Sequence, residues 1–282
     1  MKPQPPVTTI MGSPSLRAFL ANSIVNAGLS GAAPTANGDI TISVVSHGQG
    51  AMVEALLRQI AAVHDPRVVH VVLTHNLPAA SVRRPEGGWP WRLTEIFNDT
   101  PAGFSTNHNK AFSRCDSALY CVLNPDIDIT DAGIWAQLAQ AAEQPGIGMA
   151  YPVLLSPDGS RQSNEREALT PLALLRRHVL KQPQRVADWV SAACWLVRSD
   201  AWRQLGGLDD SFFMYCEDAD FCFRLQLAGW RMARAEARAV HYGGWHSRQF
   251  GPHLAWHVRS LLRLWTQPPL HRYLAAQAKA RQ

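Results

Sequence analysis

Cysteine is scarce in this sequence, and its scarcity limits the classes of protein to which the chain could belong. Five cysteines are spread over 282 residues, and no two of them form a Cys-x-x-Cys pair; they are Cys115, Cys121, Cys194, Cys216 and Cys222. Small secreted domains that depend on disulfides carry cysteine at a much higher density. The sequence therefore argues against a disulfide framework and predicts a reducing, cytoplasmic compartment.

Long hydrophobic runs are also missing. No apolar stretch reaches the length that a transmembrane helix needs. The most apolar N-terminal segment, Ala18 to Leu29, is interrupted by Asn22, Ser23 and Asn26 and lacks a preceding basic cluster, so we do not expect a cleaved signal peptide. Residues 1–38 are rich in Pro, Ser, Ala, Gly and Asn without a sustained period, which predicts a disordered or loosely attached leader without chemistry.

The charge is distributed unevenly along the chain. Lys and Arg (27) outnumber Asp and Glu (22), and arginine dominates the C-terminal end. This asymmetry predicts an anionic partner or surface near the C-terminus. With 46% hydrophobic residues, the chain can bury a large core, and we expect one catalytic domain over residues 39–250.

Residues 251–282 predict a basic amphipathic helical segment. Its apolar and basic side chains alternate at helical spacing: Trp256, Leu261, Leu262, Leu264 and Trp265 against His257, Arg259 and Arg263. Such a helix either lies on a membrane surface or packs against the domain, and the pattern allows both.

A strand, a glycine turn and a helix open the predicted domain. The β-branched run from Ile40 to Ser46 ends in His47-Gly48-Gln49-Gly50, and a helix follows with Met52, Leu56, Leu57 and Ile60 on one side. A second strand is predicted over residues 68–73. This order is typical of an α/β fold with a mostly parallel sheet. Ligands in such sheets bind beyond the carboxyl ends of the strands, so we expect Ser46, His47 and Asn76 to contact one, unless they are only polar residues of exposed loops.

A second candidate element begins at Gly103, which permits a turn before a helix that Ser105 or Thr106 could cap. Asn107, Asn109 and Lys110 fall in the first turns of that helix, where N–H groups and a cation could meet a diphosphate. A solvated helix start is the alternative.

The segment Asn124-Pro125-Asp126-Ile127-Asp128 follows a buried strand predicted over residues 118–123. A carboxylate there can ligate Mg²⁺ or Mn²⁺ together with substrate phosphates, because hard cations prefer oxygen ligands. The ligands could be Asn124 and Asp126, or Asp126 and Asp128. An ordinary Asn-Pro-Asp turn is the structural alternative.

Three carboxylates interrupt the apolar run from Phe212 to Arg224, namely Glu217, Asp218 and Asp220. From Asp218 the pattern becomes helical and stops at Gly229, so the acids lie at a helix N-terminus, which favours their ionised form. They are either functional acids or simple caps. A buried strand is predicted over residues 189–197 and a last strand over 231–240.

Residues 212–230 resemble the segment that carries the catalytic acid in family 2 glycosyltransferases, with bacterial rhamnosyltransferase-like members the nearest in pattern. The resemblance extends over residues 40–265 through the Gly-Phe-x-x-x-x-Asn-Lys-Ala element, Leu-Asn-Pro-Asp, Gly-Gly-Leu-Asp and the His-x-Gly-Gly loop at His241. It implies a GT-A fold, a single α/β domain with helices on both faces of the sheet. It also implies inverting transfer of a sugar from a nucleotide diphosphate sugar, with Asp218 as the base and Glu217 as the second candidate.

The resemblance also assigns the remaining site residues. Donor contacts fall on Ser46, His47, Asn76, Asn107, Asn109, Lys110, Asn124, Asp126 and Arg248. The Leu-Asn-Pro-Asp register favours Asp126 and Asn124 as metal ligands, joined by His241 and with Asp128 as the second choice. Thr74-His75-Asn76 departs from the family, where the second strand usually ends in an Asp that contacts the base.

The implied donor is a dTDP- or UDP-sugar, with dTDP-rhamnose preferred, and the implied acceptor is a lipid-linked or surface glycan. Nucleic acid is not expected as a partner, and we expect a cytoplasmic protein, peripheral on the inner face of the membrane. A sugar nucleotidyltransferase is the rival enzyme, although the chain lacks its glycine-rich N-terminal signature. A non-catalytic glycan-binding relative is the rival of another class, because Thr74 and Asn124 stand where the family has acids.

Overall fold

The computed structural model describes residues 39–180, 182, 186–243 and 252–280. The predicted leader, residues 1–38, and Arg248 of the predicted donor site lie outside the described residues. The strands are β1 (Ile40–Ser46), β2 (Val68–His75), β3 (Arg92–Phe97), β4 (Leu119–Leu123), β5 (Ile127–Asp128), β6 (Ile147–Leu155), β7 (Glu165–Arg166), β8 (Trp189–Val190), β9 (Cys194–Arg198) and β10 (Arg231–His241). The helices are α1 (Gly50–Val63), α2 (Phe104–Phe112), α3 (Ile134–Ala142), α4 (Pro171–His178), α5 (Ser199–Leu205), α6 (Glu217–Leu227), α7 (Pro252–Thr266) and α8 (Pro268–Ala280).

A mixed sheet forms the centre of the fold, in the order β3-β2-β1-β4-β9-β6-β10-β5. Its larger half is parallel, since β1 pairs in parallel with β2 and β4, β2 with β3, and β6 with β10. Strand β9 runs antiparallel between β4 and β6, and the short β5 closes one edge antiparallel to β10. A separate two-stranded sheet joins β7 and β8. The predicted α/β class with a mostly parallel sheet is confirmed.

Helices cover both faces of the sheet because side chains along each strand alternate between the faces. In β4, Cys121 packs into the core that includes Leu57 of α1 and Leu138 of α3. Its neighbour Tyr120 packs into the opposite core, which includes Phe221 of α6. The predicted two-sided arrangement is therefore also confirmed.

Three expectations about the elements need correction. The apolar run 189–197 is two strands in different sheets, β8 and β9, because the residues between them leave both ladders. Strand β3 was not predicted, since it follows a stretch rich in Pro and Trp and only Ile96 in it is buried. In α1 the side chain of Met52 is 42% exposed, and Val53 takes the expected place in the core.

The C-terminal helices pack against the domain. Leu264 of α7 and Leu270 and Tyr273 of α8 are buried in the same core as Phe221. The Tyr273 hydroxyl donates to Oδ1 of Asp188 at 2.7 Å, which holds α8 in place. No helix in the described part of the chain is long and apolar enough to cross a membrane.

Candidate active site

A network of neutral amides lies at the carboxyl ends of β1, β2 and β3. Nδ2 of Asn76 donates to the Ala102 carbonyl at 2.9 Å, and Oδ1 of Asn76 accepts from the Ala102 N–H at 2.8 Å. The Asn76 amide also contacts Nδ1 of His47 at 3.0 Å, and its backbone N–H donates to the Ser46 carbonyl at 2.8 Å. The loop before α2 is thereby fixed to the strand ends.

The network continues into α2 through Asn98, which follows β3. Nδ2 of Asn98 donates to Oδ1 of Asn76 at 2.9 Å and to Oδ1 of Asn107 at 2.7 Å, while Nζ of Lys110 donates to Oδ1 of Asn98 at 2.9 Å. The structure therefore brings together His47, Asn76, Asn107 and Lys110 of the expected donor residues, and it adds Asn98 to them.

Asn109 is not part of this network. Its Nδ2 donates to the Leu208 carbonyl and to Oδ1 of Asp210, both at 2.7 Å, and its Oδ1 accepts from the Leu208 N–H at 3.0 Å. A Cβ atom on Gly207 would come within 2.3 Å of that Oδ1. The Asn109 side chain therefore braces the loop before the acidic segment.

Asp126 and His241 meet at the ends of neighbouring segments. Oδ2 of Asp126 lies 3.4 Å from Nε2 of His241, and Oδ1 of Asp126 is buried without a hydrogen-bond partner among the described residues. Gln162 fixes the imidazole, since its amide contacts Nδ1 of His241 at 2.9 Å and donates to the His241 carbonyl at 2.7 Å. A buried carboxylate oxygen without a partner is an unfavourable arrangement unless a ligand completes it.

Asp128 is engaged elsewhere. One of its carboxylate oxygens accepts from the Gln59 amide and the other accepts from the Tyr242 hydroxyl at 3.1 Å. Both oxygens are therefore used in joining β5 to α1 and to the end of β10. This geometry favours the register in which Asp126 acts with Asn124.

The residues present fit a divalent cation whose shell is completed by substrate. No group of three or more His, Cys, Asp or Glu residues able to hold a metal occurs in the part of the chain that the structure describes. Asp126 and His241 offer two adjacent ligands, one with a free buried oxygen, and Asn124 adds an amide oxygen at the end of β4. Cations bound through one or two carboxylates commonly take their other ligands from substrate phosphates and water.

The acidic segment enters α6 through two residues with left-handed backbone. Tyr215 has φ 73° and Cys216, the N-cap, has φ 67°. Non-glycine residues adopt this conformation only at a cost, which is characteristic of sites where function holds the backbone. The helix begins directly after these two residues, so Glu217 and Asp218 lie in its first turn.

The three acids have different surroundings. Asp220 is fully buried and pairs with Nε of Arg224 at 2.7 Å, so it serves the fold. Glu217 is buried, and its Oε2 has no hydrogen-bond partner among the described residues. Oδ1 of the partly buried Asp218 accepts from the N–H of Ala219 at 2.8 Å.

Burial raises the pKa values of the two functional candidates. The pKa of Asp218 is raised to about 6, chiefly by burial, although the N–H of Ala219 and the positive charge of Arg166 act in the opposite direction. The pKa of Glu217 is raised well above its usual range, by burial and then by the charge of Asp218. A carboxylate with a pKa near 6 is basic enough to take a proton and still ionised near pH 7.

Backbone contacts connect the two halves of the site. The Asn124 N–H donates to the Ala193 carbonyl at 2.9 Å, and a backbone hydrogen bond from Ala192 stabilises the Asp218 carboxylate. The Phe104 N–H, at the start of α2, donates to the Phe213 carbonyl at 2.9 Å. The end of β4, the start of α2 and the acids therefore share one cleft.

Comparison with known proteins decides the family. The family model described as "Glycosyltransferase like family 2" matches residues 36–281. The chain belongs to this family.

The curated relatives of the chain include two bacterial rhamnosyltransferases. The chain is 33% identical over 159 residues to N-acetylglucosaminyl-diphospho-decaprenol L-rhamnosyltransferase of Mycobacterium tuberculosis, covering 49% of this chain and 52% of that protein. It is 40% identical over 80 residues to rhamnosyltransferase WbbL of Escherichia coli, covering 28% of this chain and 30% of that protein. The matched region therefore spans about half the length of the M. tuberculosis relative and 30% of the E. coli one.

Solved structures share the GT-A fold of glycosyltransferase family 2. The mannosyltransferase PcManGT from Pyrobaculum calidifontis, in complex with GDP-Man and Mn²⁺, aligns with a TM-score of 0.57 at 15% identity, covering 88% of this chain and 71% of that one. Glucosyl-3-phosphoglycerate synthase from M. tuberculosis aligns with a TM-score of 0.55 at 12% identity, covering 83% and 82%. At these identities the likeness concerns the fold.

Sequence reasoning did not select several residues that shape this family 2 site. Asn98 could have been found, because it follows a strand end, but β3 was not recognised. Gln162, which orients His241, gave no sequence signal. Arg166 influences Asp218 only because β7 pairs with β8, a contact between distant parts of the chain.

Proposed function

We propose that this protein is an inverting glycosyltransferase that moves a sugar from a nucleotide diphosphate sugar to a hydroxyl of a lipid-linked or surface-polysaccharide acceptor. The observation that carries the proposal is the pair of carboxylates at the start of α6, with a pKa of about 6 at Asp218, in the same cleft as Asp126 and His241. The names of the curated relatives support rhamnose as the sugar, and the family resemblance of the sequence makes dTDP the preferred nucleotide carrier.

In the proposed reaction, the acceptor hydroxyl oxygen bonds to the anomeric carbon while its proton passes to the Asp218 carboxylate. The bond between the anomeric carbon and the diphosphate oxygen breaks, and the nucleoside diphosphate departs. Asp218 takes the proton, and the amide network at β1, β2 and β3 positions the nucleotide. Burial and the charge of Asp218 raise the pKa of Glu217 well above its usual range, which disfavours its ionised form, and we therefore assign the base to Asp218.

Asp126, Asn124 and His241 would hold a divalent cation on the donor side. When bound, the cation supplies positive charge for the diphosphate that leaves. His241 is kept in orientation by Gln162, and Asp126 offers the buried oxygen that has no partner among the described residues.

A panel of nucleotide sugars tests the proposal. Purified protein is mixed with dTDP-rhamnose, UDP-GlcNAc or GDP-mannose, with Mn²⁺ or with a chelator, and thermal stabilisation and donor hydrolysis are measured. We expect one donor to raise the melting temperature in the presence of Mn²⁺ and to be hydrolysed slowly. Asp218→Asn should retain the stabilisation and lose the hydrolysis. Stabilisation by none of the donors would favour the non-catalytic relative, and consumption of a nucleoside triphosphate with a sugar phosphate would favour a nucleotidyltransferase.

We further propose that α7 contacts the inner membrane surface, through a face different from the one that the sequence suggested. Trp256 and Trp265 face the domain, since Trp256 packs on Phe213 with ring centroids 5.1 Å apart and Nε1 of Trp265 donates to a backbone carbonyl. The outward face carries exposed apolar residues four positions apart: Leu254, Val258 and Leu262. Arg259 is also exposed, whereas the exposed Arg263 is directed toward the domain, since its Nε donates to Oγ of Ser211 at 2.6 Å.

Cosedimentation with anionic vesicles at low salt tests this location. Each arginine near such a surface contributes about 1 kcal/mol, and the three apolar side chains add burial. The triple substitution Leu254→Gln, Val258→Gln and Leu262→Gln should release the protein, whereas Met52→Gln, at an equally apolar exposed position on α1, should not. If the parent chain stays in the supernatant, the exposed face of α7 does not bind membranes.

A further inference from the structure

Two arginines near the catalytic acids have no carboxylate within ion-pair distance among the described residues. They are Arg166 in β7 and Arg177 in α4. The surrounding acids are engaged by other arginines: Glu165 pairs with Arg234 at 2.9 Å and with Arg161 at 3.2 Å, and Glu167 lies 3.8 Å from Arg176. In a region where basic side chains and acids alternate, these two guanidinium groups are therefore in excess.

The position of Arg166 is fixed by the fold. Arg166 pairs in register with Trp189 of β8, and its guanidinium lies over the indole of Trp189, 5.2 Å from the ring centroid. Its Nε donates to the Ser163 carbonyl at 3.3 Å. Strand β8 then leads directly to Ala192, which hydrogen-bonds to Asp218. Arg166 thus stands on the side of the cleft that holds the base and away from the amide network.

The charge of Arg177 acts on Arg166, and the charges of Arg166 and Asp218 act on each other. Burial lowers the pKa of Arg166 to about 10, and the positive charge of Arg177 lowers it further. Burial also lowers the pKa of Arg177, while the charge of Arg166 lowers the pKa of Asp218. Two partly desolvated cations that repel each other are unfavourable in the protein alone, and an anion bound between them would relieve this.

The same surface offers apolar contacts. Helix α4 exposes Leu172 and Leu175, and the chain after it exposes Val179 and Leu180. Arg177 lies among them in sequence. A cationic site bordered by exposed apolar side chains matches a ligand in which a phosphate is attached to a hydrocarbon chain.

We propose that Arg166 and Arg177 form an anion subsite that binds the phosphate group joining the acceptor sugar to its lipid. The sugar hydroxyl is then presented to Asp218, and the lipid leaves the cleft along the exposed side chains of α4. Guanidinium groups suit this role because they bind phosphate oxygens in a bidentate manner and stay charged when partly buried. This inference rests on the proposed function and names the part of the acceptor that the enzyme recognises.

Matched synthetic acceptors test the subsite. Three acceptors carry the same N-acetylglucosamine: one through a diphosphate to farnesol, one directly as a farnesyl glycoside without phosphate, and one through a diphosphate to methanol. The KM for each acceptor is measured with the parent, with Arg177→Gln and with Arg176→Gln. Arg176 is the matched control, since it is the neighbouring residue of the same helix and lies near Glu167.

The expected result is a selective loss. Arg177→Gln should raise the KM for the diphosphofarnesyl acceptor by about 10- to 100-fold and leave that for the phosphate-free glycoside within about twofold. Arg176→Gln should change both by less than about threefold. A parent KM for the methyl diphosphate as low as for the farnesyl form would assign the site to phosphate alone and remove the lipid from the proposal. An equal loss with all acceptors, or no loss, would overturn the subsite.

A binding measurement separates this inference from the proposed reaction. Binding of the diphosphofarnesyl acceptor, followed by tryptophan fluorescence or calorimetry, requires no turnover. If no nucleotide sugar is hydrolysed or transferred but Arg177→Gln still weakens this binding at least tenfold, the reaction is wrong and the subsite stands. If transfer proceeds and Arg177→Gln binds as tightly as the parent, the subsite is wrong and the reaction stands.

Discussion

The donor half and the acid half of the cleft are built on opposite electrostatic principles. In the donor half, Asn76, Asn98 and Asn107 are neutral amides that satisfy one another and the backbone of the loop before α2. In the acid half, Glu217 and Asp218 are ionisable groups whose pKa values burial raises. The hydrogen bonds of the donor half therefore contribute to the stability of the fold, whereas the burial of the two acids in the acid half reduces it. Substitutions in the two halves should accordingly have opposite effects on stability.

The largest effect should follow Asp218→Asn. Loss of the only general base should lower the transfer rate by about 10²- to 10⁴-fold, while donor affinity changes little because the substitution is nearly isosteric. In the parent, kcat should rise with pH through an apparent pKa near 6, since Asp218 must be deprotonated to act. Rates measured between pH 5 and 8 for Asp218→Asn beside Glu217→Gln decide the assignment. An active Asp218→Asn with an inactive Glu217→Gln would move the base to Glu217, and full activity in both would reject the mechanism.

In the donor half, Asn76→Ala should destabilise the protein by about 2 kcal/mol. The substitution removes the acceptor of the Ala102 N–H, whereas the Ala102 carbonyl keeps its hydrogen bond from Nδ2 of Asn107 at 3.1 Å. A buried unpaired group costs about 1 to 3 kcal/mol. Urea unfolding measures the change. His47→Ala, at an exposed position in contact with Asn76, serves as the control and should stay within about 0.5 kcal/mol of the parent. Equal stability of Asn76→Ala and the parent would show that the network does not hold the loop.

Asp126→Ala should weaken donor binding in the presence of Mn²⁺ by about 10-fold or more, because a charged oxygen ligand is lost. Asp128→Asn is the control, since both of its oxygens are used within the fold. Calorimetry with and without Mn²⁺ separates the metal-dependent part of the affinity. Equal donor affinity in Asp126→Ala and the parent would remove Asp126 from the site, and a larger effect at Asp128 would reverse the choice of register.

Glu217→Gln should stabilise the protein at pH 8 and raise its Tm, because the substitution removes a buried group that favours its neutral form. The pKa of Glu217 is raised in the folded protein, so the native state loses stability as pH rises above the unfolded value of 4.5. The advantage of the Gln variant should therefore disappear near pH 4. Asp220→Asn is the contrasting control, because it strands the Arg224 charge and should lower Tm. A Gln variant less stable than the parent at pH 8 would contradict the contrast between the two halves.

The sequence predicts those site residues that belong to a recognisable local pattern. Asn76 and Asp126 follow strand ends, and the acids of α6 stand out in an apolar run. The family motif assigns both Asn107 and Asn109 to the donor, although residues two apart on a helix point to different sides. Asn107 joins the donor network, and Asn109 faces the loop at Leu208.

Other parts depend on contacts between distant segments and could not be predicted from local pattern. Strand β3 has a single buried residue and no alternation to mark it, so Asn98 was passed over. Arg166 and Arg177 belong to a polar stretch without periodicity. Arg166 comes close to Asp218 only because β7 pairs with β8.

The left-handed backbone at Tyr215 and Cys216 also restricts which sequences can occupy these positions. Only glycine, asparagine and aspartate adopt such a conformation with little penalty, and Tyr215 additionally stacks on His257 of α7 with ring centroids 3.7 Å apart. In a saturation library selected for activity, we expect position 216 to accept mainly Gly, Asn and Asp, and position 215 to accept aromatic residues. The positions that accept the fewest substitutions in such a library would then be 215 and 216, just before Asp218. Their side chains take no part in the proposed reaction.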